Sequence, residues 1–410
     1  MRNNRKSAFR IALLVSLVIA LTLASSRLRA DTGTCGGQSI TLPFTDVMSS
    51  PFFCQIAEAF FSGLTNGTSA TTYSPSSPVT RDQMAAFITR TQDSALRRGS
   101  PRMALEHVWT TNPRYPSASG GLGTTLVGQQ PELVQSDGDD IWVASTFDNS
   151  VSRVRASDGK LLDTWTLASN PGGVLVAMGR VFVAGFANPG KLYMIDPTGV
   201  GGAAPEMTNS GLGALPLGIA FDGNRIWTAN LDNRSVSIVT PGMTTPWSVT
   251  TVSLTSDPFD FTEPIGILFD GSNIWVTDQI HNTLDKLDQN GVILQKVNVG
   301  NAPRYPVFDG TNIWVPNNGD NTVTVVRAAT GAVVATLSFN GLNGPNQAAF
   351  DGQRILVTNF GGNSVSLWRA ADLTPAGTFS TGASTSPLGA CSDGTDFWIA
   401  LNAANQLARF

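Results

Sequence analysis

The chain has 410 residues, 26 lysines and arginines against 30 acids, a formal net charge of −4, and only 14% charged residues. No basic run is available for nucleic acid, and 41 glycines with 41% hydrophobic residues describe a folded, turn-rich chain rather than a disordered or helix-dominated one. The length suffices for a large buried core with a smaller module beside it.

Residues 1–30 carry Arg2, Arg5, Lys6 and Arg10 ahead of an uncharged apolar run from Ile11 to Ala24, with Leu28-Arg29-Ala30 behind it. A basic head, a short apolar core and a small residue at the cut are the layout of a signal peptide. The run falls short of the roughly 20 residues that span a bilayer, so removal is expected rather than retention as an anchor. The expected location is exported: periplasmic, cell-surface or extracellular, with the membrane met only in transit. Residues 1–30 hold six of the 26 basic side chains and no acid, so the mature chain has 20 against 30, a net of about −10.

Residues 31–99 read as a small helical module. A first helix is predicted from about Pro51 to Leu64, with Phe53, Ile56, Ala57, Phe60 and Leu64 on one stripe. A second is predicted from Thr80, with Met84, Phe87, Ile88 and Ala95 at helical spacing. Cys35 and Cys54 are expected to pair in an oxidising compartment, contributing about 3 kcal/mol. The order Phe44-Thr45-Asp46, helix, glycine turn, Tyr73-Ser74-Pro75, Thr80-Arg81-Asp82-Gln83 resembles one S-layer homology repeat over about 55 residues. That resemblance implies contact between Arg81 and an acidic cell-wall polysaccharide. The competing reading is that Thr80 and Gln83 form a capping box and nothing more. Gln83 also stands where that family has glutamate, and one repeat is seen where anchoring uses three.

Residues 100–119 read as a linker, rich in Pro, Gly and Ser. Beyond it a proline stands eleven residues before an apolar strand centre seven times: Pro131/Trp142, Pro171/Phe182, Pro216/Trp227, Pro264/Trp275, Pro303/Trp314, Pro345/Leu356 and Pro387/Trp398. The spacing between units varies while this interval does not, the mark of a repeat. Each unit reads as four strands, with Asp-Gly turns between the first two in six of seven copies. The second strand is apolar on consecutive residues, as in Ile274-Trp275-Val276, and must be covered on both faces. Seven sheets stacked radially satisfy this. The expected fold of residues 120–410 is all-β, a seven-bladed β-propeller with circular (velcro) closure, in which Thr124-Thr125-Leu126-Val127 completes the last blade. Ile355-Leu356-Val357-Thr358-Asn359 and Asn363-Ser364-Val365-Ser366 make these units resemble YVTN-type propeller repeats, whose members are mostly binding scaffolds and in a few cases enzymes.

The residue after each proline and the end of each second strand lie at one rim. This set includes Glu132, Arg304 and Asn346 from the first strands, and Asn230, Asp278, Asn317, Asn359 and Asn402 from the ends of the second. A ligand rim for a protein or carbohydrate is one reading; ordinary turn asparagines are the other. The loop Asp257 to Glu263 crosses the same face and reads as a binding loop or a tolerated insertion. His107 and His281 are the only histidines, which excludes a three-histidine zinc site; no nucleophile elbow and no haem-attachment motif occur. Streptogramin lyases are similar in repeat pattern and use a histidine with acids at the channel mouth, which His281 and Asp278 imitate. A calcium-dependent lactonase using Glu132, Asn230, Asn317 and Asp278 is the oxygen-ligand alternative. No other cofactor is expected.

Overall fold

The computed structural model describes residues 30–35, 38–61, 65, 67–80, 84, 123–208, 211–253 and 260–410. The leader, Arg81, all of the second predicted helix except Thr80 and Met84, and the linker lie outside the described residues. The chain divides into two compact units, Met1–Arg98 and Gly99–Phe410.

In the first unit, Thr32–Cys35 pairs antiparallel with Gln38–Thr41, and Phe53–Phe61 forms a helix. The stripe Phe53, Ile56 and Ala57 buries itself against Leu42, Phe44 and Val47. Phe44 and Tyr73, both in the sequence motif, stack at 5.5 Å between ring centres. The Asp46 carboxylate accepts the N–H groups of Tyr73 and Ser74 at 2.9 and 2.7 Å. Cys35 and Cys54 form the expected disulfide. Over its described residues the module holds a hairpin and one short helix, and the second predicted helix falls outside them. Thr-Gly-Thr-Cys and Gln-Ser-Ile-Thr show no apolar alternation, so the sequence carries no strand signal for this hairpin.

The second unit is the seven-bladed propeller. Blades 1 to 6 occupy 131–166, 171–206, 216–253, 264–298, 303–337 and 345–380; blade 7 is 387–409 completed by Gly123–Leu126. That last strand pairs Gln406 with Leu126 and Arg409 with Gly123, closing the ring. The reason for closure is visible in the core, where seven apolar clusters each bridge two neighbouring blades. Val134, Ile141 and Val143 of blade 1, for example, pack on Cys391, Trp398 and Leu407 of blade 7. Trp142, Trp227, Trp275, Trp314 and Trp398 are all fully buried at these contacts. Cys391 is a buried free thiol whose pKa burial raises far above the ordinary range.

Two blades depart from the expected four regular strands. Blade 2 has three strands, with a single bridge from Tyr193 to Glu206 in place of the fourth. Pro197, Gly199, Gly201, Gly202 and Pro205 fill that stretch and cannot sustain a ladder. In blade 5 the first strand is only Val307–Phe308, because Tyr305 leaves its own blade to pair with Gln347 of blade 6.

Between the second and third strands of blades 4 to 7 an asparagine in the left-handed region sews the blade to the next. Asn282, Asn321, Asn363 and Asn405 have φ of 57°, 58°, 48° and 54°. Their Oδ1 atoms accept the N–H of Ala302, Gly344, Ser386 and Gln130, each just before the proline of the following blade. Asparagine tolerates this backbone where most residues do not.

Candidate functional site

The strand register turns the proline interval into a rim. Pro131 faces Ser145, Pro171 Gly185, Pro216 Asn230, Pro264 Asp278, Pro303 Asn317, Pro345 Asn359 and Pro387 Leu401. The candidate asparagines stand at this end of the propeller, but Asn230, Asn317 and Asn359 have no exposed surface. Asn230 Nδ2 donates to the hydroxyls of Ser235 and Ser237, both at 2.9 Å. Asn317 does the same to Thr322 and Thr324, and Asn359 to Ser364 and Ser366. These amides spend their N–H groups clamping the third strand to the second, while Asn317 Oδ1 is buried without a partner. Asn230 Oδ1 is occupied by the Thr228 hydroxyl at 2.9 Å, so it is not offered to a cation. Asn346 is also buried and donates to Leu388 O.

Blade 4 breaks the pattern at three places. Where blades 3, 5 and 6 clamp with asparagine it has Asp278; where they place the second hydroxyl it has Asp285; and where blades 1, 3 and 5 have Asp148, Asn233 and Asp320 it has His281. Those three residues accept the hydroxyl two positions on, at 2.7 Å in each case. His281 does not take the corresponding Thr283 hydroxyl, which is buried beside the Asp285 carboxylate instead. Such a departure costs stability, and that marks a site candidate.

The resulting cluster is built around Asp278, which is fully buried. Its carboxylate accepts the backbone N–H of Thr262, Glu263, Ile280 and His281, and faces His281 Nδ1 at 3.1 Å. A carboxylate can only accept, so the His281 proton sits on Nδ1 and Nε2 is left as the basic nitrogen. Nε2 lies 3.1 Å from the Thr262 hydroxyl and 3.9 Å from Asp260. Lys296 donates to Asp285 at 2.9 Å and to Asp260 O at 2.8 Å. Burial pushes the Asp285 carboxyl up to about 6, with the charge and hydrogen bond of Lys296 opposing. Phe261 is fully buried in the core of blades 3 and 4, so residues 260–263 of the predicted binding loop are anchored; 254–259 lie outside the described residues.

A second group stands on the inner strands, where Glu132 of blade 1 and Arg304 of blade 5 flank an apolar plug drawn from four blades: Leu133, Leu217, Ile265 and Tyr305. Glu132 opens to the channel yet is hemmed in by protein, and this burial pushes its carboxyl up to about 7, with the Arg304 charge opposing. No hydrogen bond among the described residues relieves it. Arg304 Nε is buried without a partner. Burial, with the Glu132 charge adding, raises the Tyr305 phenol far above its usual value.

Side chains at the Leu133 and Tyr305 positions are a privilege of three blades. In the others this residue is glycine, and a Cβ on Gly266 would meet Arg304 O at 2.6 Å. On Gly389 it would strike Glu132 O. The close approach of adjacent inner strands requires glycine there.

Of this cluster the sequence names Asp278, His281 and the 257–263 loop; it does not name Lys296 or Asp285, the latter standing where blades 1, 3, 5 and 6 carry a hydroxyl. No metal-holding group of three or more His, Cys, Asp or Glu residues occurs among the described residues.

No family model matches the chain, so its S-layer homology and YVTN-type resemblances rest on their motifs alone, and no curated protein matches it either. Among solved structures, virginiamycin B lyase from Staphylococcus aureus is similar with a TM-score of 0.60 at 17% identity, over 70% of this chain and 98% of that one. A catalytically inactive histidine-to-alanine variant of the Staphylococcus aureus lyase, with quinupristin, gives 0.59 at 16%, over 70% and 98%. The WD40 β-propeller domain of Doa1 gives 0.56 at 13%, over 71% and 96%. What the chain shares with these proteins is the propeller fold.

Proposed function

We propose that this chain is an exported, cell-envelope or extracellular propeller that holds a protein or carbohydrate ligand at the channel mouth without chemistry. The observation that carries this reading is the pair Glu132 and Arg304. Both are confined ionisable groups on the inner strands; each feels the other's charge, but no side-chain hydrogen bond joins either to a described residue. A buried donor or carboxylate left unpaired costs about 1–3 kcal/mol, which a ligand offering an acceptor and a donor recovers. Export is supported by the basic-apolar leader and by the Cys35–Cys54 disulfide. The S-layer homology resemblance adds wall association through Arg81.

The test is an affinity search with the intact chain against envelope glycans and envelope proteins, repeated with Glu132→Gln/Arg304→Ala. A partner lost by the double variant supports the channel mouth; a partner retained in full moves the site elsewhere. Arg81→Ala that sediments with purified cell wall as well as the parent ends the attachment reading.

A second reading is favoured by one specific contact, His281 Nδ1 to Asp278 at 3.1 Å. An imidazole oriented through Nδ1, with Nε2 against the Thr262 hydroxyl, is a general base in waiting, and a lyase would use it to remove a proton from its substrate. Incubation with virginiamycin B or quinupristin, followed by chromatography, tests this. Turnover abolished by His281→Ala supports a lyase; no turnover by the parent leaves the binding reading.

A further inference from the structure

A cavity of about 310 Å³ opens at the seam where blade 7 meets blade 1, lined by Gln129, Gln130, Phe147, Asn402, Ala403 and Asn405. It exists because the turn of blade 7 carries Ala403 and Ala404 where blade 1 has Phe147 and Asp148 and blade 4 has Ile280 and His281.

The lining has a definite chemistry. Phe147 is 67% exposed, an unusual state for an aromatic in a chain that buries most of them. Its position is nonetheless fixed, since Phe147 N–H donates to Gln129 O at 3.2 Å and Thr146 N–H to Gln130 O at 3.1 Å. Around it stand four amides. Asn402 Nδ2 donates to Pro131 O, which leaves its Oδ1 as an acceptor. Asn405 Oδ1 accepts the Gln130 N–H, which leaves its Nδ2 as a donor. The side-chain amides of Gln129 and Gln130 bond no described residue and offer both. No charged side chain lines the cavity.

We infer that this seam is a binding site for a neutral saccharide. An aromatic face takes the C–H face of a sugar ring, amides of both polarities take its hydroxyls, and the lack of charge disfavours ionic ligands. The cavity is at the small end of ligand sites and suits one or two hexose units. The inference stands apart from the channel mouth, because neither Glu132 nor Arg304 contributes to it.

The full chain is titrated with glucose, galactose, mannose and N-acetylglucosamine, followed by saturation-transfer NMR. At least one sugar is expected to saturate with a dissociation constant of about 1 mM. Phe147→Ala and Gln129→Ala, both at exposed positions that leave the fold intact, are each expected to weaken it roughly tenfold. Glu132→Gln/Arg304→Ala is expected to leave it unchanged. The inference is overturned if no sugar saturates, if Phe147→Ala binds as the parent does, or if the channel-mouth double variant alone abolishes binding.

Discussion

Asp270 Oδ2 accepts the indole N–H of Trp275 at 2.7 Å, while its Oδ1 accepts the N–H groups of Ser272 and Asn273. One carboxylate thus shapes the hairpin turn and gives the indole N–H of a buried tryptophan its hydrogen-bond acceptor. The same clasp joins Asp137 to Trp142, Asp222 to Trp227, Asp309 to Trp314 and Asp393 to Trp398. In blade 6, where Leu356 replaces the tryptophan, Asp351 turns to Arg354 Nε at 2.7 Å instead.

Asp270→Ala is therefore expected to leave an indole N–H and two turn N–H groups unmatched, and to cost about 2–3 kcal/mol. Denaturant melts of the propeller measure it. A variant within error of the parent contradicts the clasp.

Removing residues 123–127 strips blade 7 of its outer strand and uncovers one side of Gln406–Arg409. The melting temperature should fall by several degrees at least, and the chain should become prone to associate through the bared edge. An unchanged melt rules out closure by this strand.

Glu132 supplies a pH dependence with a definite sign. Its carboxyl rises from 4.5 to about 7 on folding, so between these values the folded chain holds a proton that the unfolded chain has released. Stability then falls as pH rises across that window, by roughly 3 kcal/mol at most. Asp285, raised to about 6, adds a decline from about 4 to 6. Glu132→Gln should flatten the upper part, between pH 6 and 7, in melts taken across the range. A parent that gains stability from pH 5 to 7 contradicts the assignment.

Gly389→Ala forces a methyl group into Glu132 O and drives the inner strands of blades 7 and 1 apart. It should destabilise by more than the ordinary strand cost of glycine versus alanine would suggest, in the range of about 1–3 kcal/mol for overpacking. Gly394→Ala, where a Cβ meets nothing but φ is +87°, separates crowding from backbone strain.

Cys35→Ser with Cys54→Ser opens a link between residues 19 apart and should cost the N-terminal unit about 3 kcal/mol. Its unfolding should be followed separately from the propeller, whose melt should not move.

Much of the fold was legible in the residues. The interval from proline to strand centre, the Asp-Gly turns and the doubly apolar second strands named a closed ring of seven sheets, because covering both faces of every sheet leaves few other arrangements. Even the closing strand was readable from its match to Ala335-Thr336-Leu337-Ser338. What could not be read was the direction of polar side chains at the rim. Asn230, Asn317 and Asn359 looked like ligand groups because sequence places them at a strand end, and only packing decides whether an amide points to solvent or into its own blade. The same holds for Glu132 and Arg304, which lie 172 positions apart and feel each other's charge only because the ring brings blade 1 and blade 5 to one axis. Local periodicity determines which strands form; the convergence of side chains from different blades, and the burial that sets their charge, belongs to tertiary structure alone.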